Sequence, residues 1–321
     1  MIPAGFELLA IPAFIVGILF LYKGSDLLVE GTSKAAAALG VSAIIISVII
    51  VAFGTSAPEL AISLGAAAQN QAEISVGNII GSCVANLLLV LGISAIIKPI
   101  PVRDSTINRE FPIMLLVTVV FLVFSYFGLL DGYHLVGGFL FLVFFVFFVY
   151  YFYKCAKKER DIREKYKTDD LNKNILFIIL GILGVVAGAQ LLIESSVTIA
   201  HFFGIPEMVI ALSMVAIGTS LPELVVSAVA SFKDESDIAV GNVIGSNVFN
   251  IFLVIGAAAL LIPLNAAGSL DHLLILLVVT LVMFPVLNTG RVISKKNGVF
   301  LLFFYCVFMW YTFFGYKLLP I

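Results

Sequence analysis

Gly54-Thr55-Ser56-Ala57-Pro58-Glu59-Leu60-Ala61-Ile62-Ser63 recurs later in the chain as Gly218-Thr219-Ser220-Leu221-Pro222-Glu223-Leu224-Val225-Val226-Ser227. A second block, Gly77-Asn78-Ile79-Ile80-Gly81-Ser82-Cys83-Val84-Ala85-Asn86, recurs as Gly241-Asn242-Val243-Ile244-Gly245-Ser246-Asn247-Val248-Phe249-Asn250. Both offsets equal 164 residues (218 − 54 and 241 − 77), so the chain holds two copies of one unit. Each copy sets a carboxylate, hydroxyls and an amide within strongly apolar sequence. Ionisable groups are costly in hydrocarbon, so the default reading is a polar functional site, duplicated at the interface of two halves.

The surrounding composition is that of a membrane protein. The 321 residues are 61 % hydrophobic and 12 % charged, with a net charge of −2 and a mean hydropathy of +1.16, outside the range of ordinary soluble domains. Apolar runs reach the roughly 20 residues a bilayer-crossing helix needs. Cys83, Cys155 and Cys306 have no metal-ligand spacing, which argues against a disulfide framework or a zinc site. Residues 1–22 lack a basic leader and a small-residue cleavage site, so they read as a retained first span.

Ten helical spans are expected, near 4–29, 42–68, 74–97, 111–128, 132–153, 174–196, 206–231, 238–262, 271–288 and 297–318. The expected organisation is therefore a first repeat over 1–153, a basic loop over 154–173 and a second repeat over 174–321. Five spans per half is an odd number, so the second copy enters the membrane inverted, as in secondary transporters. The fold class is all-α, with two inverted five-helix repeats. With the N-terminus outside, 17 of the 18 Lys and Arg residues fall on the cytoplasmic side, and only Lys317 lies outside. That asymmetry supports the span count and places the central loop in the cytoplasm of a cell carrying the protein in its plasma or inner membrane.

Within the first block, Thr55 and Glu59 share one helix face. Pro58 supplies no N–H to the Gly54 carbonyl and crowds the preceding turn, so a broken helix with freed carbonyls around Ala52 to Thr55 is expected. Ala216, Thr219, Ser220 and Glu223 repeat the arrangement. In the second block, Ser82 with Asn86 and Ser246 with Asn250 are four apart, on one face each. Gly77 with Gly81 and Gly241 with Gly245 provide small faces for close helix approach. Two carboxylates, two amides, several hydroxyls and free carbonyls form an all-oxygen set suited to hard cations, Ca²⁺ above all. Two acids balance one divalent cation or two monovalent ones.

Other residues carry less. Proline kinks and Gly-xxx-Gly faces often serve packing alone. Glu30 and Glu194 match across the repeat while Asp26 meets Gln190; they read as helix-end groups, with the lining of an ion pathway as the alternative. His134, His201 and His272 read as surface residues. The basic loop reads as a solvated connector in reach of anionic lipid.

The duplicated GTS-x-PE and GN-x-x-GS-x-x-x-N blocks resemble the α-repeats of the cation/Ca²⁺ exchanger superfamily, most closely its prokaryotic sodium/calcium exchangers. The resemblance implies Ca²⁺ held by Glu59 and Glu223 with Thr55 and Thr219. It implies Na⁺ sites at Ser56, Ser82, Ser220 and Ser246, with Asn86 and Asn250 beside them and the Ala52 and Ala216 carbonyls as backbone ligands. Some family members, the potassium-dependent exchangers among them, carry Asp where this chain has Asn250, which argues against K⁺ cotransport. The expected function is Ca²⁺/Na⁺ antiport by alternating access, with the first and sixth spans sliding over a core of spans 2, 3, 7 and 8. Ca²⁺/H⁺ exchange is the alternative, followed by a K⁺-dependent exchanger or a cation channel. No enzyme chemistry is expected: HExxH, a phosphate-binding GxxxxGK[ST] loop and a Ser–His or Cys–His pairing at membrane depth are all absent. No cofactor, nucleic acid or obligatory protein partner is expected, only Ca²⁺, Na⁺ and membrane lipid.

Overall fold

The computed structural model describes residues 9–162, 170–203 and 218–314. The first half contains α1 Ala10–Leu39, α2 Ala43–Thr55, α3 Ala57–Ala68, α4 Ala72–Ile97, α5 Thr106–Tyr126 and α6 His134–Ile162. The second contains α7 Leu171–Phe202, α8 Leu221–Phe232, α9 Ser236–Leu261, α10 Leu270–Asn288 and α11 Lys295–Phe314. Two dipeptides, β1 Ile100–Pro101 and β2 Val292–Ile293, pair antiparallel. Sequence periodicity does not show so short a pairing.

Among the described residues, seven helices are long and apolar enough to cross a membrane, and α2 with α3 makes an eighth, bent by 47° at the break between them. The 12-residue α8 begins where the second motif copy breaks, and residues 204–217 before it lie outside the described residues. α11 occupies the place of the last expected span.

Two helices differ from their expected limits. α1 runs on to Leu39, ten residues beyond the expected end, and stops at Gly40, whose φ of 70° lets its N–H reach Ala36 O and Ala37 O. Its 30 residues make a rod of about 45 Å, longer than the roughly 30 Å hydrocarbon layer. α6 continues to Ile162, nine residues into the expected loop. Both extensions are rich in Ala, Lys and Glu, good helix formers whose polarity marks the membrane edge but does not end a helix.

The arrangement follows from burial. In α4 and α9, 78 % and 83 % of the apolar window is buried, against 28 % in each of α1, α6 and α7. α4 and α9 therefore form the centre, and α1, α6 and α7 face outward with large apolar side chains such as Ile11, Phe147 and Leu183 exposed. In a bilayer those faces meet lipid rather than water. α1 and α7 touch along a glycine seam: a Cβ on Gly24 would come within 2.6 Å of Val185 N, and one on Gly188 within 2.5 Å of Leu21 N.

The basic residues gather at one end of the bundle. Lys98 pairs with Asp234 at 2.6 Å and Arg103 with Asp237 at 2.8 Å, while Lys233 pairs with Asp26 and Arg291 with Asp104. Glu159 accepts from the Ser42 N–H at 2.7 Å and meets Arg109, so the end of α6 joins the same group. At the opposite end, Asp131 accepts from the N–H groups of Ala266 and Ala267.

Candidate functional site: a buried oxygen cluster between α2, α3, α4, α8 and α9

The broken helix appears where Pro58 requires it. Ser56 leaves helical geometry at φ −81°, ψ 7°, and Ser220 repeats this at φ −85°, ψ 6°. In both copies the proline takes the first turn of the new helix, where its missing N–H costs nothing. Glu59 and Glu223 consequently lie in the first turns of α3 and α8. There the helix dipole and its unpaired N–H groups favour an anion.

Both carboxylates are fully buried. Neither forms an ion pair with a described cationic side chain. Ser82 Oγ donates to Glu59 Oε1 at 3.0 Å, and Ser246 Oγ donates to Glu223 Oε1 at 3.3 Å. Asn78 Nδ2 donates to Ser63 Oγ at 2.9 Å and the Glu59 carbonyl at 3.4 Å; Asn242 Nδ2 repeats this to Ser227 Oγ at 3.1 Å and the Glu223 carbonyl at 3.4 Å. Matched donors and acceptors thus recur 164 positions apart.

Other bonds tie the copies together. Ser56 Oγ donates to Glu223 Oε1 at 3.1 Å, and Ser82 Oγ lies 3.2 Å from Ser220 Oγ. Thr55 donates to Asn242 Oδ1 at 2.9 Å, and Asn250 Nδ2 donates to Ser82 Oγ at 3.3 Å. Asn86 Nδ2 donates to Asn247 Oδ1 at 3.0 Å. Thr219 lies beside the Glu59 carboxylate. Ten of the twelve expected ligand residues are therefore buried together in one cluster: Thr55, Ser56, Glu59, Ser82, Asn86, Thr219, Ser220, Glu223, Ser246 and Asn250.

The remaining two differ. Ala216 lies outside the described residues. The Ala52 carbonyl is not free as expected: it accepts from Ser56 N–H at 3.0 Å and Thr55 Oγ1 at 3.3 Å. The helical ladder extends one residue past Thr55, so the carbonyl deprived of a donor by Pro58 is that of Gly54.

Four buried side-chain oxygens here have no hydrogen-bond partner among the described residues: Glu59 Oε2, Glu223 Oε2, Asn86 Oδ1 and Asn250 Oδ1. Buried unpaired acceptors are costly, most of all the two that belong to carboxylates. No group of three or more His, Cys, Asp and Glu with metal-holding geometry occurs among the described residues. The chemistry on offer is two acids surrounded by neutral oxygens, suited to hard cations.

The helices around the cluster are locally widened. π-Helical turns span Ser47–Val51 in α2, Asn86–Val90 in α4 and Phe249–Ile255 in α9. Such turns are rare and often mark functional sites; here Asn86 opens one and Asn250 lies in another. The close approach expected of Gly241 and Gly245 is present: a Cβ on Gly245 would lie 2.4 Å from Val48 O. A Cβ on Gly77 or Gly81 meets no described atom within 4 Å, and residues 208–216, the repeat counterpart of 44–52, lie outside the described residues.

Sequence reading missed several participants. Asn78, Asn242, Ser63 and Ser227 lie inside the repeated blocks, where their recurrence was the available signal. Asn247, whose repeat partner is Cys83, gave no such signal; its amide nitrogen donates to the Cys83 carbonyl at 3.3 Å. Three minor expectations are corrected. His134 is half-buried, its Nδ1 2.7 Å from Ala259 O, so it is a packed group rather than a surface one. Asp26 and Glu30 lie within α1 because the helix runs on to Leu39, and they pair with Lys233 and Lys34. Gln190 and Glu194 are likewise inside α7, hydrogen-bonded to each other at 2.8 Å.

Comparisons with known proteins show the family. The family model "Sodium/calcium exchanger protein" matches residues 9–154 and 173–314. A putative antiporter CaxA of Alkalimonas amylolytica is 37 % identical over 302 residues, covering 90 % of this chain and 93 % of that protein. The sodium/calcium exchanger MaX1 of Methanosarcina acetivorans is 34 % identical over 335 residues, covering 92 % and 96 %. The solved sodium-calcium exchanger NCX_Mj, soaked with Na⁺ and no Ca²⁺, superposes with a TM-score of 0.80 at 29 % identity, covering 94 % of this chain and 98 % of that one. With the family model spanning both halves and relatives matched nearly end to end, the chain belongs to the sodium/calcium exchanger family.

Proposed function

We propose that the protein is a secondary antiporter that exchanges Ca²⁺ for Na⁺ at the buried oxygen cluster. The observation that carries the reading is the set of four oxygens on Glu59, Glu223, Asn86 and Asn250 that have no partner among the described residues, two of them on carboxylates that no described cationic side chain pairs. One Ca²⁺ neutralises both acids, and two Na⁺ do the same, so the two ion classes compete for one charge requirement. Thr55, Ser56, Ser82, Thr219, Ser220 and Ser246 complete the coordination by turning their hydroxyl oxygens towards the ion. The Ala216 carbonyl joins from the second copy, and that of Ala52 once the Thr55 hydroxyl releases it.

In this reading ten spans form two inverted five-helix repeats, with residues 154–173 between them. The recurrence of the same hydrogen bonds 164 positions apart supports that symmetry. The protein resides in the plasma or inner membrane with its N-terminus outside and its central loop in the cytoplasm. The gathering of Lys98, Arg103, Lys233 and Arg291 at one end supports the orientation. α1 and α7 slide along their glycine seam over the core, exposing the site to one side at a time.

Proton coupling is the second reading, since protons also neutralise two buried carboxylates. The test is Ca²⁺ uptake into proteoliposomes loaded with Na⁺, K⁺ or a pH gradient alone. Uptake that needs outward Na⁺ and proceeds without K⁺ is expected. Uptake driven by pH alone would replace Na⁺ by H⁺ as the coupling ion.

A further inference from the structure

An apolar groove of about 760 Å³ opens on the outer surface between α2 and α6, within the roughly 300–1,000 Å³ of small-ligand sites. Ile46, Ile49 and Ile50 form one wall, and Val149, Phe152 and Tyr153 the other. Lys157 closes the end nearest the basic cluster. Its side chain is exposed and in no ion pair with a described residue. The nearby acid Glu159 is already engaged by the Ser42 N–H and Arg109. An apolar trough ending in one cation that no described acid pairs has the polarity of a phospholipid: chain along the groove, phosphate at the lysine.

We infer that this groove is a binding site for one anionic phospholipid, its acyl chain against Ile46, Ile49 and Val149 and its headgroup on Lys157. The site lies in the cytoplasmic leaflet if the orientation proposed above holds, where anionic lipid attracts exposed lysines. A second apolar groove, of about 630 Å³ between α5 and α6, reaches Arg109 instead. That guanidinium is paired with Glu110 and Glu159 and has no charge to spare for a headgroup.

The position gives the lipid a role. Ile49 and Ile50 belong to the π-helical turn Ser47–Val51, one turn before Thr55 and the helix break. A chain packed there braces the weakest stretch of α2 against α6, and so steadies the hydroxyl face presented to Glu223.

The test is native mass spectrometry of the purified protein offered equal amounts of phosphatidylglycerol and phosphatidylcholine. Wild type is expected to retain phosphatidylglycerol preferentially. Lys157→Gln should weaken that retention by about fivefold, the worth of one lysine at an anionic surface. Ile49→Trp fills the groove while keeping the charge, and should abolish it. Equal retention of the two lipids by wild type, or undiminished retention in Ile49→Trp of wild-type melting temperature, would overturn the assignment. Lys157→Gln is an exposed change that leaves the core intact, so it keeps the test decisive if Ile49→Trp does not fold. Transport plays no part in the readout, so a failure here is separate from a failure of the exchange reading.

Discussion

Ser56 donates a hydrogen bond to Glu223 Oε1 at 3.1 Å, so the first copy of the broken-helix motif holds the acid of the second. The two halves are therefore completed by each other. In the exchange proposed above, an ion at this cluster would touch both halves, and a movement of one past the other would change its coordination. That is the structural requirement for coupling ion release to alternating access.

Removing either acid should abolish transport. Glu59→Gln and Glu223→Gln keep the volume and the Ser82 and Ser246 contacts but leave one charge for a divalent ion. Breaking one side of a buried charge pair costs about 3–5 kcal/mol, or roughly 10²–10⁴-fold in Ca²⁺ affinity. In Ca²⁺-free solution each variant should melt no lower than wild type, because an unpaired buried anion has been removed. Calcium titration and thermal melts of the same samples check both statements.

Calcium should stabilise the wild type. A ligand that binds only the folded state contributes about 2.7 kcal/mol at a hundredfold excess over its Kd. A melting transition that rises with Ca²⁺, does not rise with Mg²⁺ at the same concentration, and is unchanged by Ca²⁺ in Glu223→Gln is the expected pattern.

The α2–α9 contact should tolerate no side chain. A Cβ on Gly245 would lie 2.4 Å from Val48 O and 2.6 Å from the Ala52 Cβ, both on α2. Gly245→Ala is expected to cost about 1–3 kcal/mol by overpacking and to slow exchange by displacing Thr55. Gly65→Ala, with nothing within 4 Å of the added Cβ, should leave transport unchanged. Melts and initial uptake rates of the two variants separate the effects.

A third acid should change the ion requirement. Asn250 donates to Ser82, and its Oδ1 has no partner among the described residues. Asn250→Asp adds a buried negative charge that Ca²⁺ alone does not balance. Uptake by the variant should then depend on K⁺ or on acidic pH, whereas wild-type uptake should be indifferent to K⁺. Rates measured with K⁺ and with choline at two pH values decide this.

The site was legible because its residues recur. Glu59 and Glu223 stood out as acids in apolar sequence, and Pro58 located the break to within two residues of Ser56. The Gly241–Gly245 face was legible from spacing alone. What spacing could not give was the partner of each polar atom. The Ala52 carbonyl looked free because Pro58 removes a donor, but the ladder runs on to Ser56 and Thr55 folds back onto it. Asn247 carried no repeat signal because its partner position is Cys83, yet it bridges that residue's backbone and Asn86. Helix ends were the least legible: α1 and α6 run past their apolar stretches because Ala, Lys and Glu sustain helices outside the bilayer. The π-helical turns left no trace in composition.

The most direct test is equilibrium Ca²⁺ binding to the purified protein at increasing Na⁺. A single Ca²⁺ per chain, displaced cooperatively by Na⁺, indifferent to K⁺, and lost in both Glu59→Gln and Glu223→Gln, is the predicted result. Binding that survives in both variants, or that Na⁺ does not displace, would contradict a shared site at the two acids.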